Sequence, residues 1–212
     1  MRKNLIAAMF LAGTVMASPA FASVPVTSDL DTWKALTPGW LEDTEYGSGS
    51  TTSVTLDGGP TMTFDQSVGI PSIGSGWATW CCGYTGDVLS VSSNSITTTF
   101  NTAVNNFGFY AEPNDFSSFL VTLTTGDGAV LNQLVTGQAG AKFFGWNGGP
   151  ITSFTVSAAP GANGFAFGDF FYEGVSGAVP EPATWAMMIS GFGLVGGAMR
   201  RSRSTRVSYS HA

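Results

Sequence analysis

Between Gly49 and Tyr172 the chain is a succession of short β-type runs cut by glycine turns, and few folds accept such a pattern. The Thr-rich runs "TTSVTL" and "TMTF" flank Asp57-Gly58-Gly59-Pro60, a hairpin signal. "FLVTLTTGDGAVLNQLV" repeats the device around Gly126-Asp127-Gly128. In "ITSFTVSA", Phe154 and Val156 fall on one face, with Ser153, Thr155 and Ser157 on the other. "GFAFGDFFYE" reads as an aromatic strand with Phe165, Phe167, Asp169 and Phe171 sharing a face. Further strands are expected near 86–91, 95–100 and 104–111, and one short helix near Leu30–Leu36. Roughly ten close-set strands predict an all-β fold, an antiparallel β-sandwich of jelly-roll-like form. Aromatics at 13% and 28 glycines fit a loop-rich β protein with a bulky core. No Rossmann fingerprint, P-loop or internal repeat is present.

The two ends are of another kind. Arg2-Lys3-Asn4, an apolar run from Leu5 to Met16, and Ala20-Phe21-Ala22 make a secretory signal peptide over 1–22. Cleavage after Ala22 leaves Ser23 first, so the body spans 23–179. A second apolar run, 183–199, has 17 residues without a charge. As a helix it is about 26 Å long, enough to cross a bilayer. Arg200, Arg201 and Arg203 follow as a basic stop-transfer cluster, which places 204–212 in the cytoplasm and the body across the membrane. The fold is thus expected to be flanked by an N-terminal signal helix and a C-terminal transmembrane helix. Gly193 and Gly197 form a small-xxx-small pair that lets another membrane helix approach closely. Pro180-Glu181-Pro182 just outside the membrane is an extended segment bearing one carboxylate.

Residues 180–203 resemble the PEP-CTERM sorting signal of Gram-negative bacteria, in the form common among alphaproteobacteria. "PEPATWAMMISGFG" and the trailing arginines carry the likeness: the Pro-Glu-Pro triplet, the membrane helix and the basic cluster are all present. The resemblance implies an exosortase substrate, whose partner is a membrane cysteine protease or transpeptidase acting near Pro180, Glu181 and Pro182. It also implies an inner-membrane stage with the body in the periplasm. Transfer to the cell surface or the medium follows, in systems that accompany exopolysaccharide and biofilm production. The same tail is labelled by its presence in ice-binding proteins, which implies nothing about ice here. The extra stretch 204–212 departs from the pattern without displacing a motif residue. "FGFYAEPNDF", "GAKFFGW" and "GFAFGDFFY" resemble the β bodies that such proteins carry, which implies a fold and no activity.

The body's charge narrows its partners. Thirteen of the 14 acids and two of the eight Lys and Arg lie in 23–179, a net charge of −11. Nucleic acid and anionic lipid need a positive footprint and are excluded as partners. The single histidine, His211, lies in the expected cytoplasmic tail, so the body has no Ser-His-Asp, Cys-His or histidine–zinc site. Carboxylate chemistry remains, as in a glycan hydrolase or lyase, but no pair of acids stands out.

Cys81 and Cys82 are adjacent, and an exported setting favours oxidation. A vicinal disulfide is expected there, with free thiols or a bridge to another chain as alternatives. Around them Trp77, Trp80 and Tyr84 crowd a Gly- and Ser-rich segment, and Trp146 stands in "FFGWNGG". Such rings fill a core or stack on sugars, and these four are the candidate glycan contacts. Glu112, Asn114 and Asp115 read as a loop with an Asx-type turn. Asp169, inward on an aromatic strand, needs a partner: Lys34, Lys142 or a calcium ion. Calcium at Asp169 is the sole cofactor expectation. The chain thus reads as a non-catalytic exported surface or matrix protein, with polysaccharide as an expected partner. The alternatives are a carboxylate-dependent glycan enzyme and an unprocessed membrane-anchored protein.

Overall fold

A computed structural model of the chain describes residues 25–174, 188–192 and 196. The signal peptide with Ala20, Ala22 and Ser23, the Pro180–Pro182 triplet, Arg200, Arg201, Arg203 and the tail 204–212 lie outside the described residues. Of the expected membrane run, 188–192 and 196 are described, and these are helical. Among the described residues no helix is long and apolar enough to cross a membrane. Contacts divide the chain into two units, Met1–Glu173 and Gly174–Ala212.

In chain order the first unit holds β1 (Val26–Thr27), α1 (Leu30–Leu36), β2 (Trp40–Asp43), β3 (Gly49–Thr55) and β4 (Thr61–Ile70). Then come β5 (Ser72–Ile73), β6 (Gly76–Trp77), β7 (Val88–Val91), β8 (Ser95–Val104) and β9 (Phe107–Pro113). The last are β10 (Ser118–Thr125), β11 (Val130–Thr136), β12 (Lys142–Trp146), β13 (Ile151–Ala158) and β14 (Phe165–Glu173). The helix begins where its sequence says it should. The Asp29 carboxylate accepts the amides of Asp31 and Thr32, and Trp33 is the residue the helix buries. Both expected hairpins form, with Thr55 opposite Thr61 and Thr124 opposite Val130.

Twelve strands make one antiparallel sheet in the order β1-β12-β9-β14-β7-β4-β8-β13-β10-β11, with β2 beside β14 and β3 beside β4. The all-β antiparallel expectation holds, but a sandwich implies two separate sheets and this one is continuous. Gly69 opposite Ser90 joins β4 to β7, and the sheet curls around one core until it is nearly a barrel. Phe107 on β9 lies 5.0 Å from Phe100 on β8 and 5.7 Å from Phe154 on β13, centroid to centroid. Those strands are four and five places away along the sheet, so the rings meet across the interior.

The centre of the fold is β14, where the expected face assignment fails. From Gly168 to Phe171 the strand advances three residues while β9 retreats two, from Tyr110 to Gly108. The extra residue makes a β-bulge, and Asp169 sits there at φ 55°. Alternation slips by one, so Phe165 and Phe167 before the bulge and Phe170 and Tyr172 after it all enter the main core. Phe171 is turned to the opposite face, away from Phe165 and Phe167.

That opposite face is covered too. Phe171 and Phe143 pack with Trp33 of α1, whose indole N–H donates to the carbonyl of Trp146 at 2.9 Å. Gly108 makes this possible, since a Cβ there would run into the Phe143 ring. Beside it Trp77, Trp80, Val88, Ala141 and Ala166 form a second outer cluster under the 71–87 loop. With both faces buried, β14 and β9 read as near-continuous apolar runs and not as alternating ones.

Candidate functional site

Two places on the body bring polar chemistry together. The first is a cleft of about 390 Å³ where β4 joins β7. Ser50, Ser67, Ser90, Ser92, Asn114 and Asn163 line it, with Trp77 and Gly69 among the remaining lining residues. A smaller hollow of about 150 Å³ adjoins it through Gly76, Trp77 and Asn114 and reaches Phe116. Trp77 is held from behind. Its indole N–H donates to Glu112 Oε2 at 3.0 Å, and the Gly140 amide donates to Glu112 Oε1 at 3.0 Å. The Thr79 hydroxyl lies 3.3 Å from the same Oε1. Glu112 is fully buried near the end of β9 and not in a loop as expected. Burial pushes its carboxyl above the usual range, and the bonds from Trp77, Gly140 and Thr79 hold it down. The Asx turn does form, with Asp115 Oδ1 accepting the Ser117 amide at 3.0 Å.

The second place is the bulge. Asp169 is 8% exposed, and its Oδ1 is buried without a donor. Its amide donates to the Tyr46 hydroxyl at 2.8 Å. The charged group that bears on it most is Glu42 of β2, which pairs with Phe171. Burial first, then Glu42, raise Asp169 from 3.8 to about 7, while Lys34 of α1 pulls the other way. Lys34 itself rides over the Trp40 ring at 4.1 Å and the Phe171 ring at 4.8 Å. The calcium expectation at Asp169 finds no support: among the described residues no three His, Cys, Asp or Glu groups gather to hold a metal ion.

The four aromatic candidates separate. Trp146 is wholly buried in the main core, against Phe107 at 5.3 Å and Phe154 at 5.6 Å, and is out of reach of a sugar. Trp80 is 5% exposed and packs on the half-buried Tyr84 at 6.1 Å. Tyr84 donates to the Asp87 carbonyl at 2.6 Å, which spends its hydroxyl on the loop. Trp77 alone of the four lines the cleft. Cys81 and Cys82 are joined in the expected vicinal disulfide, with Cys82 at φ 65°. Sequence reasoning missed the serines of the cleft and the influence of Glu42 on Asp169.

An acidic all-β body followed by a C-terminal targeting segment defines a class of exported, sorted proteins. Residues 178–204 match the family model of the PEP-CTERM protein-sorting motif, so the chain carries the PEP-CTERM sorting domain. That motif implies export and exosortase-dependent sorting to the cell surface. No curated protein matches the chain. Among solved structures it is similar to the enzymatically active domain of tailspike protein 4 of bacteriophage CBA120, at 13% identity and a TM-score of 0.28. The likeness covers 64% of this chain and 19% of that one, and carries no argument about activity.

Proposed function

We propose that the chain is a non-catalytic surface protein whose body crosses the inner membrane, folds in the periplasm and is released to the cell surface by an exosortase-type protease. Its setting is the exopolysaccharide layer. The sorting motif at 178–204 carries the reading, and the strongly acidic body is consistent with a place outside the cell. The glycan-enzyme reading has one feature in its favour, a cleft of about 590 Å³ bordered by Glu42, Asp43, Glu45 and Asp57. Against it, Asp43 is occupied by the amides of Glu45 and Asp57 at 3.2 and 2.9 Å. Asp169, the acid that burial raises to about 7, does not border this cleft.

The test is the mature C-terminus, by intact mass, in cells with and without a functional exosortase. Wild type should lose His211 only where the protease is present, and replacing Pro180, Glu181 and Pro182 by alanine should restore it. Retention of His211 beside an active protease would establish the permanently anchored protein instead.

A further inference from the structure

On three strand pairs of this surface, facing hydroxyls satisfy one another. Thr55 bonds Thr61 at 2.9 Å, Thr97 bonds Thr155 at 3.1 Å and Ser118 bonds Thr136 at 2.8 Å. The cleft where β4 meets β7 differs. Ser50, Ser67, Ser90 and Ser92 line it, and their hydroxyls have no hydrogen-bond partner among the described residues. Gly69 keeps its floor bare: a Cβ there would lie 2.6 Å from Ser90 Oγ. One wall is Trp77, fixed by Glu112 behind it, and past it stands Phe116, 55% exposed. No residue lining either hollow is charged, on a body whose net charge is −11.

We propose that this cleft binds a segment of neutral polysaccharide. Each serine hydroxyl both donates and accepts, which suits the vicinal hydroxyls of a sugar. The edge of Trp77 and the ring of Phe116 offer an apolar surface to the sugar's C–H face. An acidic polymer finds no cation in the cleft and is repelled by the body around it. A peptide cannot add as a strand along the cleft floor, because Gly69 is paired with Ser50 on one side and Ser90 on the other. The combined hollows have the volume of an ordinary small-ligand pocket. The proposal deepens the surface-protein reading and rests on it only for where the ligand is met.

Native electrophoresis of the full chain in non-ionic detergent tests it, in gels containing dextran, laminarin, galactomannan, alginate or gelatin. At least one of the three neutral polymers should retard wild type. Ser50→Ala/Ser67→Ala/Ser92→Ala breaks no bond within the protein, so its unfolding transition should not move. Its affinity for that polymer should fall about tenfold or more, as loss of three hydrogen bonds requires. Phe116→Ala should cost about fivefold. Should the triple variant unfold early, Ser92→Ala alone, at an exposed position, takes its place. Free migration in all three neutral polymers overturns the proposal, as does equal retardation of wild type and variants. Retardation by alginate or gelatin alone does so too. A null gel beside a correctly trimmed tail removes the ligand and leaves sorting intact; an untrimmed tail beside clear retardation does the reverse.

Discussion

Replacing Asp169 by Asn should make the protein's stability less sensitive to pH, and the direction follows from the bulge. Asp169 is held at about 7 in the folded state against 3.8 when unfolded. At low pH both states carry the proton and the contribution is fully present. As pH rises past 3.8 the unfolded chain ionises first, and stability falls until the folded group ionises too, near 7. The full displacement corresponds to roughly 4 kcal/mol. Lys34 opposes the shift, so the realised loss should be about 2–4 kcal/mol. The Tyr46 hydroxyl and the Tyr84 and Tyr110 side chains complete the surroundings and stay neutral here, each raised first by burial. Asn keeps the shape and tolerates the positive φ, but it does not titrate. Urea unfolding between about pH 4 and pH 8 is the assay. Wild type and Asp169→Asn should match at the acid end, with the variant more stable by about 2–4 kcal/mol at the alkaline end. Parallel curves would refute the reasoning, because the carboxyl would then be ionised throughout.

Two further substitutions probe the supports of the cleft and of the core. Glu112→Gln loses one acceptor oxygen facing the donors from Trp77, Thr79 and Gly140, and should cost about 1–3 kcal/mol in urea unfolding. Amide exchange should quicken over 77–80, and unchanged exchange there would show that Glu112 does not hold the loop. Trp146→Ala empties a wholly buried site and should cost about 3–5 kcal/mol. Under conditions where it stays folded its retention by neutral polymer should equal wild type, and weakened retention would return Trp146 to the ligand side.

What the sequence made legible was local. The helix at Leu30–Leu36 announces itself by the Asp29 cap, and both hairpins by their glycine turns. The buried face of β13 follows from simple alternation. The rest depends on partners distant in the chain. β2 shows no strand pattern, and is one because the second half of β14, past its last pairing with β7, pairs with it instead. The serines of the cleft are spread from Ser50 to Ser92 and look like any solvent face until Gly69 pairs with Ser90. Trp146 precedes Asn-Gly-Gly, a turn sequence that reads as surface, yet the strand before it runs through the core.

The buried carboxyl of Asp169 is a consequence of the same architecture. Phe165–Gly168 pairs with β7 and Phe170–Glu173 with β2, so Asp169 occupies the seam where β14 exchanges one neighbour for another. A strand without an extra residue there would send Phe170 and Tyr172 out of the core and Phe171 into it. The inserted residue must take positive φ, which most side chains resist and Asp accepts. Apolar rings on either side bury whatever stands at that point, and an acid buried so needs a proton or a cation nearby. Lys34 and Lys142 are the body's only cations, and Lys34 is engaged with Trp40 and Phe171. A proton on Asp169 is what remains. Asn would meet the geometric demand without the charge, so Asp169→Asn separates the two demands that one residue now meets together.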